Sequence, residues 1–343
     1  MMVKEKSPEF RVALLGTDSL RGQEIKNLLA TGKLPLKSIE FYDPEVEEEY
    51  SKLTDFGDEP KVIHHPHPYL FEGLDLVFLA ADRTSNKKFG QLAKEKGFRA
   101  IDLAESFTDE EDVPVIVAGV NDSLIENKEV SLVSNPHAIT IFLSHVFSAI
   151  LSHFTLKKAV AMVLQPASAY ENEGIEELAE QSYALLSSTS YGRKVFNDQV
   201  AFNLLPRVEK PGEDGFSPKE KQIIQEIKKV LSPHNFPLSL SIVQAPVFHV
   251  YSIMSYIELS EDYPLEELEK AFRKKSIFKF LPVGSVEQIS NLKVAGKDKI
   301  FIGHFKKDQS IQGSYWFWVA ADNLTTGSAL NALELARKLL GIT

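Results

Sequence analysis

Apolar residues come in short bursts through the first 135 positions, and most bursts are followed by a stretch with helical spacing. Phe10 to Leu15 predicts a strand, and Leu20 to Ala30 predicts an amphipathic helix. Ile39 to Tyr42 and Val62 to His64 predict further strands. Leu76 to Ala80 predicts a buried strand, with a helix from Asn86 to Lys96 behind it. Ala100 to Leu103, Val115 to Val117 and Leu132 to Ser134 complete the set, and Glu45 to Tyr50 reads as an acidic loop or helix turn. Alternation of this kind predicts a parallel sheet covered by helices on both faces.

Beyond residue 135 the rhythm changes. A helix over Ala138 to His153 leads into a strand over Ala159 to Leu164, then a helix over Ile175 to Leu186. A polar stretch spans 187–220, and a helix follows over Lys221 to Leu231. Ser239 to Val250 and Ile253 to Leu259 read as strands, Leu265 to Lys274 as a helix, and Thr326 to Leu340 as a strongly periodic terminal helix. Fewer tight alternations predict an α+β domain around a largely antiparallel or mixed sheet. The run Tyr315-Trp316-Phe317-Trp318-Val319 is too apolar for an ordinary exposed strand, so it fills the sheet core or a subunit interface.

With 343 residues, two domains are expected. A net charge of −10 excludes a broad cationic surface for nucleic acid or anionic lipid, and Lys157-Lys158 and Arg273-Lys274-Lys275 read as solvated edges. There is no cysteine, which excludes disulfides, thiolate metal sites and thiol redox switches. The charged segment Met1 to Phe10 lacks the apolar core of a signal peptide, and the longest apolar stretch is broken by Ser144, His145 and Ser148. A soluble, cytoplasmic protein is expected.

Gly16-Thr17-Asp18-Ser19-Leu20-Arg21-Gly22 lies between the first strand and first helix, where backbone N–H groups of a dinucleotide loop approach a pyrophosphate. The outer glycines are present, but Ser19 occupies the middle position. Asp18 sets a negative charge where a phosphate would sit, with Arg21 near enough in sequence to offset it. Asp43 ends the second strand and can accept from an adenosine ribose, which favours NAD over NADP. Asp43-Pro44 is equally a turn signal. The candidate cofactor is therefore NAD or NADP, and the competing reading is a plain strand-to-helix turn.

Several stretches, in order, resemble aspartate-semialdehyde dehydrogenases over nearly the whole chain. They are the glycine loop, Leu76 through Ala80-Ala81, Val113-Pro114 through Val120-Asn121, and Ser134-Asn135-Pro136. Further along come Gln165-Pro166-Ala167-Ser168, Gly174 through Leu178, Phe202-Asn203-Leu204-Leu205-Pro206 and Ala245-Pro246-Val247-Phe248. Asp322-Asn323-Leu324 and Gly327 through Ala332 close the series. The resemblance implies a Rossmann-type dinucleotide-binding domain (residues 1–134 with 323–343) and an α+β semialdehyde-dehydrogenase dimerisation domain (135–322), hence a homodimer. It implies dinucleotide contacts from Gly16, Thr17, Ser19, Leu20, Arg21, Gly22, Asp43, Ala80, Ala81 and Asn323, and a substrate cleft containing Asn135, His137, Gln165 and Glu220.

Such enzymes attack an aldehyde with a cysteine, pass hydride to NADP and release the thioester to phosphate. The position matching that cysteine is Ala138, and a methyl group has no lone pair to attack with. Tyr251 stands at the matching histidine and Gln244 at the substrate-binding arginine. Thr108 replaces a second arginine, Gly119 a glutamate and Gln222 a lysine.

Two functional readings follow. One is a noncatalytic homodimer that binds a partner protein or a small ligand. The alternative is an NAD(P)-dependent oxidoreductase of altered chemistry on an aldehyde-like or amino-acid-derived substrate, with Tyr251 and His137 as its candidate bases. A relocated Ser134, Thr140 or Ser144 nucleophile is set against helix capping by Ser134 or Asn135. His64-His65-Pro66-His67-Pro68 lacks a metal-ligand spacing and reads as a surface loop, and His145 and His153 read as polar helix positions. No metal is expected.

Overall fold

The computed structural model describes residues 8–48, 52–126, 130–207 and 209–342, so the acidic run 45–50 is described only as far as Glu48. The chain forms two compact units, one comprising the residues up to His137 and those from Ser328 onward, the other Ala138–Gly327.

The first unit is built on a seven-stranded sheet in the order β3-β4-β2-β1-β5-β6-β7. Its strands are β1 (Phe10–Leu15), β2 (Leu36–Tyr42), β3 (Lys52–Phe56), β4 (Glu59–His64), β5 (Leu76–Leu79), β6 (Arg99–Asp102) and β7 (Leu132–Ser134). All neighbours run parallel except the β3–β4 hairpin. Alternation along β1 divides the core in two. Val12 and Leu14 pack with Ile25 and Leu29 of α1 (Leu20–Ala30) and with Leu333 and Ala336 of the last helix. Ala13 and Leu15 face Phe89 and Ala93 of α2 (Arg83–Lys96). Val115 to Val117 is not a strand; Val115 makes one isolated bridge to Ser134.

The second unit holds a six-stranded sheet, β11-β12-β13-β10-β8-β9. Here β8 is Leu156–Gln165, β9 Leu238–Gln244, β10 Tyr251–Leu259, β11 Phe278–Phe280, β12 Ile300–Lys307 and β13 Ser314–Ala321. Its pairings are mixed, parallel at β8–β9 and β11–β12 and antiparallel elsewhere. The helices are α3 (Ala138–Leu151), α4 (Glu171–Ser187), α5 (Pro218–Val230), α6 (Leu265–Arg273) and the short α7 (Asn291–Val294). Ala159, Ala161 and Val163 point inward from β8, whereas Val160 and Met162 point out.

The terminal helix is interrupted relative to the sequence expectation. A wider turn over Thr325–Ala329 precedes α8 (Leu330–Leu339). In the first unit, Asn331 of α8 lies buried and ties three segments together. Its Oδ1 accepts from Ala118 N (2.8 Å), while Nδ2 donates to Ile116 O (3.0 Å) and Asn135 Oδ1 (2.8 Å). Asn331→Leu strands a backbone N–H and two acceptors in the interior. A loss of about 3 kcal/mol is expected, read as a lowered denaturant midpoint with unchanged slope.

Candidate functional site

Ala138 is the first residue of α3. A methyl added to Gly327 would stand 2.6 Å from Ala138 Cβ and 2.7 Å from the Phe142 ring, so only glycine permits this approach of chain to helix. Within reach along α3, the Thr140 hydroxyl donates to Glu226 Oε2 (2.6 Å), whose other oxygen accepts from Gln222 Nε2 (2.8 Å). Thr140 is therefore a buried structural donor. The hydroxyls of Ser134 and Ser144 are buried without a partner among the described residues, and neither meets a base.

Gln165 and Gln244 end the adjacent parallel strands β8 and β9 in direct register, and Tyr251 opens β10. They form one network. Gln165 Nε2 donates to Gln244 Oε1 (3.1 Å), and Gln244 Nε2 donates to the carbonyls of Gln165 and Ala245 (3.1 Å each). The Tyr251 hydroxyl donates to Gln165 Oε1 (3.3 Å). The three residues are only 4, 1 and 2 % exposed, so their polar groups are met by protein partners instead of solvent. Tyr170 also bonds to Gln165; burial pushes its phenol above the ordinary tyrosine value while that bond pulls it down, so it remains a neutral hydroxyl.

Tyr251 is held in place by strained backbone. Val250 has φ +77°, a left-handed conformation that costs a β-branched residue about 1–3 kcal/mol. Its N–H donates to Asn323 Oδ1 (3.3 Å) and its carbonyl accepts from Asn291 Nδ2 (2.8 Å). Asn323 thus lies in the second unit, where its Oδ1 also accepts from Ser168 (3.2 Å).

Glu220 is spent on scaffold. Its Oε2 completes a capping box by accepting from Ser217 N (2.8 Å), and Oε1 accepts from Ile242 N (2.9 Å), stitching the start of α5 to β9. In the first unit, Asn135 Oδ1 is occupied by Asn331 and its N–H by Asp102 O, and His137 is buried.

The glycine loop keeps its shape and uses its donors internally. Gly16 has φ +85°, and a Cβ there would stand 2.3 Å from Ala81 N. Gly22 N donates to Ser19 Oγ, and that hydroxyl has its one proton to give to either Gly16 O or Ala80 O (2.9 Å each). Thr17 donates to Tyr42 O, and Ala81 N to Asn86 Oδ1. The Asp43 carboxylate accepts from Asp18 N (3.2 Å) and Glu45 N (3.0 Å), so the group expected to meet a ribose already has partners. Lys52, not Arg21, neutralises Asp18 (2.6 Å); Arg21 reaches across to Leu103 O (2.9 Å). Leu20 begins α1 immediately behind this turn.

Comparison with known proteins gives the decisive observation. The chain matches the family described as semialdehyde dehydrogenase, NAD binding domain, over residues 11–128, and semialdehyde dehydrogenase, dimerisation domain, over 148–326. The chain belongs to the semialdehyde dehydrogenase family. It is 28% identical to an aspartate-semialdehyde dehydrogenase of Rickettsia bellii (strain RML369-C) across 97% of this chain and 98% of that protein. Its fold matches aspartate semialdehyde dehydrogenase II from Vibrio cholerae (TM-score 0.90, 22% identity, 97% and 99% coverage). It also matches the enzyme solved with NADP from Candida albicans (TM-score 0.72, 14% identity, 97% and 99% coverage).

As a semialdehyde dehydrogenase family member, the chain has the expected Rossmann-type and α+β architectures. Sequence reasoning named Gln165, Gln244 and Tyr251 separately; the structure brings them into one bonded cluster. It missed Glu177 and Gln181, buried polar residues one turn apart on α4, whose spacing on a face with Gly174 and Leu178 was the available signal. Among the described residues no group of His, Asp or Glu side chains is placed to hold a metal ion, and no helix is long and apolar enough to cross a membrane. The histidine run forms a ring ladder, His65 against His67 and His67 stacked on Tyr69.

The aromatic strand β13 divides its residues between two faces. Tyr315 and Phe317 are fully buried, while Trp316 is 37% exposed and packs on Tyr256 at 4.8 Å. With Val160, Met162 and Met254 it makes the outward apolar face of the second sheet.

Proposed function

We propose that this chain is a noncatalytic homologue of aspartate-semialdehyde dehydrogenase that works as a binding or regulatory homodimer. The observation that carries this reading is the buried Gln165–Gln244–Tyr251 network. At the positions the resemblance assigns to an arginine clamp and a general base stand a carboxamide and a phenol, both buried and both hydrogen-bonded to Gln165. A carboxylate substrate gains no cation there, and Tyr251 donates its proton to an amide oxygen rather than removing one from a reactant. Ala138 supplies no nucleophile, and the chain has no cysteine to replace it. The same use of the Tyr251 hydroxyl counts against an oxidoreductase of altered chemistry.

The NAD-binding domain supports a dinucleotide as ligand, since the glycine cradle is retained in shape. Its N–H groups at positions 16, 17, 18 and 22 already donate within the protein, so any affinity must come from the rest of the unit. Calorimetric titration with NAD and NADP tests this. Binding of either makes the protein a dinucleotide sensor or holder. An absence of heat at millimolar ligand removes the dinucleotide from the account and also ends the oxidoreductase reading.

The dimerisation domain and its exposed apolar sheet face support a homodimer. Met162→Glu places a charge in the middle of that face, opposite Met254. The wild type is expected to run as a dimer in light scattering and the variant as a folded monomer; a dimeric variant would show that another surface is used.

A further inference from the structure

The second unit contains a cavity of about 340 Å³ between two loops, lined by Tyr170, Phe196, Asp198, Leu205, Arg207 and Gln244 among others. Both of its walls are rigidly tied. The loop through Phe196 hangs from α4. Glu177 accepts from the N–H groups of Lys194 (2.7 Å), Val195 (2.6 Å) and Phe196 (3.3 Å), and Gln181 Oε1 accepts from Val200 (2.8 Å) and Ala201 (3.2 Å). Both side chains are buried and bond to each other (3.0 Å). The opposite wall is pinned where Leu205 and Gln244 exchange two backbone hydrogen bonds (3.0 and 2.9 Å). Five backbone N–H groups gathered by two buried side chains make a preformed surface, which lowers the cost of ordering a ligand.

The lining has a definite chemical character. Tyr170 and Phe196 meet edge to face at 5.3 Å and, with Leu205, supply an apolar floor. Arg207 and Asp198 contribute opposite charges to the lining, which also includes Asn197. Asp198 is exposed; its Oδ1 accepts from Gln199 N (2.7 Å) and stands 3.6 Å from Arg193. Arg207 is exposed and engages no carboxylate among the described residues. Glu209 is nearby in charge terms, acting on Tyr170, but its carboxylate already accepts from Lys219 N (3.0 Å). A cation and an anion around one small apolar hollow disfavour a polyanion and suit a ligand carrying both charges on a short frame.

We propose that this cavity binds a free α-amino acid with an apolar side chain, the carboxylate on Arg207, the ammonium on Asp198 and the side chain against Phe196 and Leu205. The site differs from the Gln165–Gln244–Tyr251 cluster in its charged groups and does not depend on whether the chain is catalytic. Gln244 is their shared wall.

The test is calorimetric titration of the full-length protein with L-leucine, L-methionine and L-phenylalanine in turn. At least one is expected to bind. 4-Methylpentanoate, which lacks the ammonium, and 3-methylbutylamine, which lacks the carboxylate, are expected to bind about tenfold or more weakly than L-leucine if leucine is the ligand accepted. R207Q and D198N change exposed residues and should fold normally, each weakening the amino acid by about tenfold or more. No binding of the three amino acids at millimolar concentration overturns the proposal. So does binding that both variants leave unchanged, or a carboxylate-only analogue that binds as tightly as its amino acid. None of these results bears on the noncatalytic reading, which is decided by a dehydrogenase assay.

Discussion

Replacing Ala138 by cysteine is expected to leave NADP reduction by aspartate semialdehyde and phosphate at background. On the proposed reading, a thiol at the start of α3 restores one of the three groups the resemblance implies, and the positions of the other two hold Gln244 and Tyr251, which are bonded to Gln165. A free tyrosine phenol is about 3.5 pKa units more basic than imidazole, a mismatch of about 5 kcal/mol for proton transfer near neutrality. The Tyr251 hydroxyl is also committed to Gln165. Gln244 has no charge to offer a substrate carboxylate, and its amide N–H groups go to two backbone carbonyls. Removing a nucleophile costs on the order of a millionfold in enzymes where its partners stay in place. Returning it without partners should recover only a small part of that. A138C should therefore show a titratable thiol and no turnover, while A138C/Q244R/Y251H is the first variant expected to rise above background. Turnover by A138C within about a hundredfold of a working relative would mean that another residue serves as base.

Gln244→Leu is expected to cost about 3 kcal/mol of folding stability, a large loss for a single buried amide. Leucine is one heavy atom shorter and branches one carbon earlier, so a packing loss adds to the polar one. The polar loss comes from leaving the Ala245 carbonyl and the Gln165 Nε2 without their Gln244 partner in a buried setting, while the Gln165 carbonyl keeps its bond from Ala245 N (2.9 Å). Tyr251→Phe removes the longer bond to Gln165, at 3.3 Å, and should cost about 1 kcal/mol. A reversed order of these two effects, read from urea midpoints, would contradict a network centred on Gln244.

Much of the architecture could be read from the chain because local pattern and burial agree there. Phe10–Leu15 and Leu20–Ala30 were expected with the bounds observed, since β1 is buried at four successive positions and α1 follows a side-chain cap at Ser19. The β3 strand escaped notice because Lys52–Phe56 belongs to an exposed hairpin with no buried residue, so its pairing with β4, not its periodicity, makes it a strand. Val115–Val117 had the composition of a strand but only one bridge to share. Val250 was expected to continue a strand, yet it turns left-handed, because bonds from Asn291 and Asn323 distant in sequence fix it.

At the candidate site, sequence pattern told which residues stood at which positions and not how they satisfied one another. Asp43 and Glu220 looked like ligand groups because their types and places suit ligands. Each instead accepts two backbone N–H groups, a fate visible only in three dimensions. The neutralisation of Asp18 by Lys52, 34 residues away, was equally out of reach of local reading.

The most direct test is a stopped-flow and steady-state assay of the wild-type protein with aspartate semialdehyde, NADP and phosphate. The account predicts neither a burst nor steady formation of NADPH above a no-protein control. A measurable phosphate-dependent rate, retained by the purified protein and abolished by Y251F, would contradict it and make Tyr251 a catalytic residue.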